Sequence, residues 1–559
     1  MRLRILLVLL AAPLALAGQT PGRSSGTVAV QLLAFNDFHG NLEPPSGDSG
    51  LVNQTTAGGA EYLATHLKNA AAQNPNSIVV AAGDLLGASP LISALFHNEP
   101  TVESMNAMNL SLASVGNHEF DHGRRELLRM QRGGCHPTDG CQDGDGFAGA
   151  RFQYLAANVV DRTASPPRPL FPATAVRTVG GVKIGFIGET LQGVRKVVLP
   201  SVVRGFTFLD EAATANAHAA RLKRQGVNAI VLLIHQGGQQ RPADAEADPN
   251  GCAGFSGGLG PTLDKLSPDI KVVISGHTHR YYNCTFGGRL VTSAGAYGRI
   301  FTRVNLAIDP SNDVIVSAAA RNEIVTRDVE KDAEQTRLIA KYGALSKPVA
   351  DRPIGSVTSN IPRRANRAGE SPLGDVIADS QLASTSPRIK GGAVVALMNP
   401  GGVRADLIVN AEGSGAPGGR VTYGHLGSIL PFGNVVTVQT MTGDMIRRVL
   451  EQQFDNPGPG QQTFLQVSSG FTYRYALNAP AGRHVDSTSM QLRGRLIGPA
   501  DRLRVAVNNF LLSGGDNFTV FEEGAAGVGA DVDIDALMAY FRTKSPVSPG
   551  PQDRIVRTD

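Results

Sequence analysis

Through the first half of the chain, short apolar runs alternate with longer stretches of helical spacing. Residues 28–35 form a β-type run that stops at Asn36-Asp37-Phe38-His39-Gly40. Residues 60–72 have helix patterning, and 77–82 form a second strand that stops at Gly83-Asp84. A helical stretch over 101–110 is followed by the run 112–115, which leads into Gly116-Asn117-His118-Glu119-Phe120-Asp121. Residues 210–225 have helix composition, 229–234 read as a strand ending at His235, and 271–275 end at Gly276-His277-Thr278-His279. Strands alternating with helices predict α/β layers. In such sheets functional groups gather beyond the carboxyl ends of the strands, and each of these polar clusters lies at such an end.

The pattern changes past the middle. Residues 329–342 have helix composition with mixed charge and are followed by Pro348 and Pro353, which predicts a linker helix within 326–353. Short strands at 394–398, 435–439 and 503–507, with helices at 374–383 and 442–454, predict a smaller α+β domain over 354–541. The Pro-rich stretch 542–559 is expected to be a loose tail. The Gly- and Asp-rich stretch 135–149 reads as a surface loop. Its Asp143-Gly144-Asp145 is turn chemistry, because the later Glu of a calcium loop is missing.

With 559 residues the chain is too long for one core, and 42% hydrophobic against 18% charged residues fits globular domains. Residues 1–17 read as a signal peptide: Arg2 and Arg4, then an apolar run, then Ala15-Leu16-Ala17. The alternative, an uncleaved anchor, is disfavoured because the run is too short to span a bilayer. No other stretch approaches about 20 apolar residues. The expectation is an exported protein, periplasmic or secreted, without a membrane anchor after cleavage. The formal charge of +4 falls to +2 once Arg2 and Arg4 are lost, which leaves no basic field for a nucleic-acid polymer. An even count of four cysteines in an exported chain predicts disulfides. Of three possible pairings, sequence proximity favours Cys135–Cys141 and Cys252–Cys284. A four-cysteine zinc site is the weaker alternative, because no CxxC spacing occurs.

The strand-end clusters offer carboxylates, an amide oxygen and imidazoles, with no thiolate. That mixture suits zinc, manganese, iron or cobalt better than calcium. One such ion takes about four protein ligands. Seven candidates (Asp37, His39, Asp84, Asn117, His235, His277 and His279) point to two ions sharing a carboxylate, the arrangement for in-line attack on phosphorus. Glycines before Asp84, Asn117 and His277 let the backbone turn sharply. His118, held by Asp121, reads as a proton donor or charge stabiliser. Each cluster alone also has an ordinary reading, a solvated Asp-x-His or a core His235; the ordered set at successive strand ends carries the weight.

In the second domain, Asn399-Pro400-Gly401-Gly402-Val403-Arg404 follows a strand and presents an amide and a guanidinium suited to phosphate or carboxylate. Phe432 lies on a turn, and Phe510 is followed by Asp516. Two phenyl rings could hold a flat base between them, at roughly 1–3 kcal/mol per base. The alternative makes the rings core residues and Arg404 a surface ion-pair partner.

Taken together, Asn-Asp-x-His, Gly-Asp, Gly-Asn-His-Glu-Phe-Asp and Gly-His-x-His, in this order, resemble the calcineurin-like metallophosphatases, and within them the bacterial 5′-nucleotidase and UDP-sugar hydrolase group. The resemblance implies a four-layer α/β/β/α metallophosphatase domain over 27–325, followed by the α+β substrate-binding domain. It implies two divalent ions (zinc, manganese, cobalt or iron), one on Asp37, His39, Asp84 and His279, the other on Asp84, Asn117, His235 and His277. His118 would act at the scissile phosphate and Asp121 would orient it. Phe432 and Phe510 would stack on the base, Asp516 would bind the ribose hydroxyls, and Arg404, Asn399 and Arg367 would lie near phosphate or ribose. Arg367 is placed by its spacing to Glu370-Ser371-Pro372-Leu373-Gly374, where the family usually has Asn in place of Pro372. The implied activity is release of phosphate from nucleoside 5′-phosphates, and of nucleotides from diphosphates such as nucleotide sugars, by attack of a hydroxide held between the ions. The alternatives are a 2′,3′-cyclic-nucleotide phosphodiesterase, a thiosulfohydrolase, or a non-enzymatic nucleotide-binding surface protein.

Overall fold

A computed structural model of the chain describes residues 26–241, 247–409, 419–458 and 460–559; the expected signal peptide lies outside them. In chain order the first unit contains β1 (Val28–Phe35), α1 (Ala60–Ala72), β2 (Ser77–Ala81), α2 (Glu99–Ala107), β3 (Leu110–Ser114), α3 (Gly123–Arg132) and β4 (Gln153–Leu155). It continues with β5 (Thr174–Val179), β6 (Val182–Thr190), α4 (Glu211–Arg224), β7 (Ala229–His235), β8 (Ile270–Ser275), β9 (Tyr281–Phe286), β10 (Arg289–Ala294), β11 (Ile300–Asp309) and β12 (Val314–Ile324). They form two six-stranded sheets, ordered β12, β11, β1, β2, β3, β4 and β9, β10, β8, β7, β6, β5.

Period-two alternation explains the layering. Leu32, Ala34, Ile78 and Val80 of the first sheet pack against Ile184, Phe186, Val231 and Leu233 of the second. Leu33 and Phe35 point the other way, onto Leu63 and Leu67 of α1 and Val102 and Met105 of α2. On the outer face of the second sheet, Ile230 and Leu232 pack on Ala215 and Leu222 of α4. Each sheet buries both faces, and the result is the α/β/β/α stack. Parallel pairing places strand ends level. Phe35 pairs with Ala81, and Ala81 with Ala113; Thr190 pairs with His235, and Ile234 with Ser275. Every expected polar cluster leaves its sheet at that one edge.

Helix α2 starts at Glu99 and ends at Ala107, and Leu110 belongs to β3 instead of the helix. Asn109 takes left-handed backbone (φ 56°) and separates the two. The helix after β12, α5 (Ala333–Ala350), starts at Asp332, whose carboxylate accepts from the Glu334 and Gln335 amides. It runs through Pro348, close to its end, where the missing N–H forgoes the bond to the Ala344 carbonyl oxygen.

The second unit contains α6 (Pro372–Thr385), β13 (Val395–Met398), β14 (Val435–Thr442), α7 (Gly443–Glu451), β15 (Gln466–Val467), β16 (Phe471–Tyr475), β17 (Arg502–Asn508), β18 (Ala525–Val532), α8 (Asp533–Lys544) and β19 (Ile555–Arg557). A mixed sheet in the order β15, β13, β17, β14, β18 lies at its centre. Helices α6 and α8 cover one side, with Leu373, Ile377, Leu537 and Phe541 buried together. Val449 and Leu450 of α7 pack with Phe471 and Tyr473 on the other. The tail is not loose. β19 pairs parallel with β16 from Tyr473↔Ile555 to Tyr475↔Arg557, and Arg554 binds Asp379 of α6 at 2.9 Å. Proline content hid an edge strand that a central sheet excludes but a rim accepts. Both favoured disulfides are formed, Cys135–Cys141 and Cys252–Cys284. Among the described residues no helix is long and apolar enough to cross a membrane.

Candidate metal and substrate site

Tight turns after the strands carry the polar groups inward. Asp37, His39, Asp84, His277 and His279 all have positive φ, between 49° and 74°. Non-glycine residues there are strained by about 1–2 kcal/mol each. The turns also come very close together. A Cβ at Gly116 would lie 2.1 Å from Asp84 Oδ1, and one at Gly276 would lie 2.8 Å from the Ala82 carbonyl oxygen. Only glycine lets these loops approach.

The seven expected ligands meet as two adjoining groups. Asp37, His39 and His279 form one and Asp84, His235 and His277 the other, each with ligand atoms within 4.8 Å of one another. Asp84 faces both: its Oδ2 lies 3.0 Å from His235 Nε2 and 3.7 Å from His39 Nε2. Asn117 Oδ1 lies 3.2 Å from His235 Nε2 and 2.9 Å from His277 Nδ1. The rings are held from behind, as ligand imidazoles require. His39 Nδ1 faces the Gly87 carbonyl oxygen at 2.9 Å, and His235 Nδ1 faces that of Ala82 at 2.8 Å.

The chemistry of this donor set fits cations. His39 Nε2 and His279 Nε2 stand 3.0 Å apart, and with its Nδ1–H given to Gly87, His39 turns a lone pair toward its neighbour. Burial and the Arg404 charge hold both rings well below the usual imidazole range. Burial and then His235 bring His277 down to about 3. Neutral imidazole is the ligating form. Burial works against the Asp84 charge, yet His235, His118 and His39 hold its carboxyl well below the usual range. Burial also opposes a charge on His235, but Asp84 raises it to about 9. A divalent ion between them would take the place of that proton.

Beside the groups, His118 Nδ1 lies 2.9 Å from Asp121 Oδ2, and the His118 amide donates to Asp84 Oδ1 at 2.8 Å. Burial lowers the basicity of His118, but Asp121 and Asp84 raise it above the ordinary value. From the second unit, Arg404 Nη2 reaches to 3.4 Å from His39 Nε2, and its Nε is buried without a protein partner. The Phe432 ring lies on His118 at 5.5 Å between centroids, with planes 24° apart, and the Arg404 guanidinium sits 5.8 Å over Phe432. Asn399 Nδ2 donates to Asp516 Oδ2 at 2.8 Å, and burial pushes the Asp516 carboxyl up to about 6. Phe510 is half-buried, its ring packed against Gly515.

Arg367 is a correction. It is exposed and donates to the main-chain oxygen of Asp559 at 3.3 Å. Spacing pointed to the wrong arginine: Arg363, four residues earlier in an irregular stretch, faces the site. It bonds Val403 and Ser49 at 3.1 Å each and acts on Tyr297. Burial would raise the Tyr297 phenol, but Arg363, Arg404 and Arg299 pull it below its ordinary value; its oxygen lies 3.5 Å from His279 Nδ1. No local motif marks Tyr297. Two other supports stood inside motifs without a role. Glu119 accepts from the amides of Asp84 at 2.9 Å, Leu85 at 2.8 Å and Gly116 at 2.5 Å. Its carboxyl is raised to about 7 by burial and Asp84. Asn36 donates to Asp37 Oδ2 at 2.6 Å and accepts from the Ala294 amide at 2.8 Å, tying the two sheets together behind the ligands.

Fold and donor set define a metallophosphoesterase class, and comparison with known proteins narrows it. Residues 30–281 match the calcineurin-like phosphoesterase family, and 349–523 the 5′-nucleotidase C-terminal domain family. The chain is 31% identical over 538 residues to Endonuclease YhcR of Bacillus subtilis, covering 94% of this chain and 41% of that protein. It is 32% identical over 554 residues to Cell wall protein Lmo0130 of Listeria monocytogenes, covering 94% of this chain and 68% of that protein. A 5′-nucleotidase precursor from Thermus thermophilus superposes with a TM-score of 0.75 at 25% identity, over 95% of this chain and 99% of that one. The chain belongs to the 5′-nucleotidase family, in which a calcineurin-like phosphoesterase domain is joined to a 5′-nucleotidase C-terminal domain.

Proposed function

We propose that the protein is an exported phosphohydrolase that releases phosphate from nucleoside 5′-phosphates, with two divalent cations on the seven ligands and His118–Asp121 as catalytic dyad. The metallophosphatase domain spans 27–325 and the substrate domain 354–541, joined by α5. The observation that carries the reading is Arg404, whose Nη2 reaches His39 and whose Nε is buried without a partner, with Phe432 stacked on His118. An anion-binding guanidinium and an aromatic platform from one domain meet the metal ligands of the other.

Asp37, His39, Asp84 and His279 would hold one ion, and Asp84, Asn117, His235 and His277 the other. Such a pair, when bound, acidifies water and neutralises charge on phosphoryl oxygens. The chain's own residues do the rest. Arg404 binds the phosphoryl group through charge-assisted bonds. Asp121 accepts the Nδ1–H of His118, which leaves Nε2 to stabilise a phosphoryl oxygen and to protonate the leaving ribose oxygen. Asp516, oriented by Asn399, accepts from the ribose hydroxyls. Phe432 and Phe510 take the base by stacking. The two disulfides support an oxidising compartment outside the cytoplasm.

The test is phosphate release from AMP with manganese or zinc, before and after chelation, with a nucleotide sugar and a 2′,3′-cyclic nucleotide alongside. AMP turnover that vanishes on chelation and returns with metal is expected. No turnover would overturn the reading in favour of a nucleotide binder, and turnover indifferent to the chelator would overturn the two-cation mechanism. Turnover of the cyclic ester alone would make it a phosphodiesterase.

A further inference from the structure

A cavity of about 560 Å³ opens on the first domain between helices α3 and α4 and shares no residue with the site above. That size is ordinary for a small-ligand site, which runs to roughly 300–1,000 Å³. Helix spacing builds its walls. Arg124, Leu128 and Arg132 recur every four residues along α3 and share one face, and His218 and Arg221 share a face of α4. The segment 168–174 lines the cavity between the helices. Its apolar part is anchored in the protein: Phe171 is buried, and Leu128 and Leu170 pack on the same core cluster. Arg132, Arg168 and Arg221 are exposed. The lining thus joins an apolar patch to a cationic rim.

Four arginines line this cavity against one carboxylate, in a chain whose 52 basic residues are nearly balanced by 48 acidic ones. The one carboxylate is already occupied. Asp161 is buried, accepts from Arg124 Nε at 2.7 Å, and accepts from the amide and hydroxyl of Thr163 at 2.9 and 2.6 Å. Among the described residues, Arg132, Arg168 and Arg221 have no carboxylate partner. The imidazole adds no charge, because burial and then Arg221 hold His218 below its ordinary value. A solvated face intersperses both signs, which would set acids between these arginines. Like charges gathered around one cavity repel, and solvent screens this only in part. An anion of more than one charge turns that repulsion into attraction. The planar guanidinium fork matches the oxygens of phosphate in pairs, and one phosphate group brings about 1.5–2 negative charges, more than a carboxylate can.

We propose that this cavity binds a phosphate-bearing anion, a nucleoside diphosphate being its representative, at a place separate from the catalytic site. Arg132, Arg168 and Arg221 take the phosphate oxygens. Leu128, Leu170 and Phe171 take the organic body. Arg124, held by Asp161, is the fixed point of the rim. A nucleotide and free phosphate share the chemistry that is recognised and differ only in their use of the apolar lining.

The test is isothermal titration calorimetry of the metal-loaded full chain with an ADP analogue whose two phosphorus atoms are bridged by methylene, and in a parallel arm with orthophosphate. The variants are Arg132→Ala/Arg168→Ala, Arg221→Ala and, for the other site, Arg404→Ala. Both cavity variants are expected to bind one equivalent fewer than the parent, and Arg404→Ala to keep that equivalent. The difference does not depend on whether the main site takes the ligand, so the two readings fail separately. If the double variant does not fold, Arg221→Ala, on another helix, gives the reading. An equivalent lost for the analogue alone assigns the cavity to a nucleotide; one lost for orthophosphate, alone or with the analogue, assigns it to the phosphate group itself. Equal stoichiometry in parent and cavity variants with both ligands overturns the proposal.

Discussion

His118 is the residue on which chemistry and structure separate most cleanly. Its amide holds Asp84 and its ring meets Asp121. An Asn at this position keeps the main-chain bond and removes the proton donor. His118→Asn is expected to lower kcat about 10²–10³-fold, as loss of general acid catalysis does, with bound metal unchanged; a fall in metal content would make His118 a ligand instead. The convergence of the proposed ligand residues was legible because each cluster follows an apolar run with a turn residue, so one dimension of sequence carried their common location. Arg363 and Tyr297 were not legible. Their place depends on the docking of the second domain and on the left-handed turn at Tyr297 (φ 63°), and neither leaves a mark in local spacing. Arg367 misled for the same reason: an arginine's reach cannot be read from its distance to a motif.

At the scale of elements, α6 carries a second buried charge problem. Asp375 is buried and neither carboxylate oxygen accepts a hydrogen bond from a protein donor, the Arg554 guanidinium standing 3.9 Å from Oδ1. Burial pushes it up to about 8, with Arg554 opposing and Glu370 adding to the rise. The unfolded carboxyl titrates near the ordinary value of about 3.9. The native state therefore keeps a proton that the unfolded chain has lost, and stability falls as pH rises from about 4 to about 8. Asp375→Asn should remove that slope: its Tm advantage over the parent grows across this window and levels off above it. Melting curves with parallel pH dependence would contradict the assignment. The five first-domain strands that end at the polar clusters, and the helices between them, were readable because these central strands are buried on both faces and their apolar runs are continuous; the remaining strands of the two sheets, more exposed toward the edges, gave no such run. β19 was not, since an edge strand needs only one partner and tolerates the prolines around it.

On the scale of the whole molecule, the site exists only where the two domains meet. Arg404 and Phe432 come from one, His39 and His118 from the other. Phe432→Ala is expected to raise KM for AMP about tenfold, since a base–aromatic stack is worth roughly 1–3 kcal/mol. It should leave hydrolysis of p-nitrophenyl phosphate, which has no base, nearly unchanged. An equal loss on both substrates would make Phe432 a structural support of His118.

The left-handed turns beneath Asp37, His39, Asp84, His277 and His279 bear on the order in which the protein is assembled. Five unfavourable backbone conformations, at about 1–2 kcal/mol each, are held by main-chain bonds between the strand ends, from Asp37 to Gly83 and from His39 to Asp84, so the socket is expected to be finished before its guests arrive. Chelated protein should keep its circular dichroism, and activity should return on the timescale of mixing. Ellipticity that collapsed with the chelator would mean that the ions build the frame.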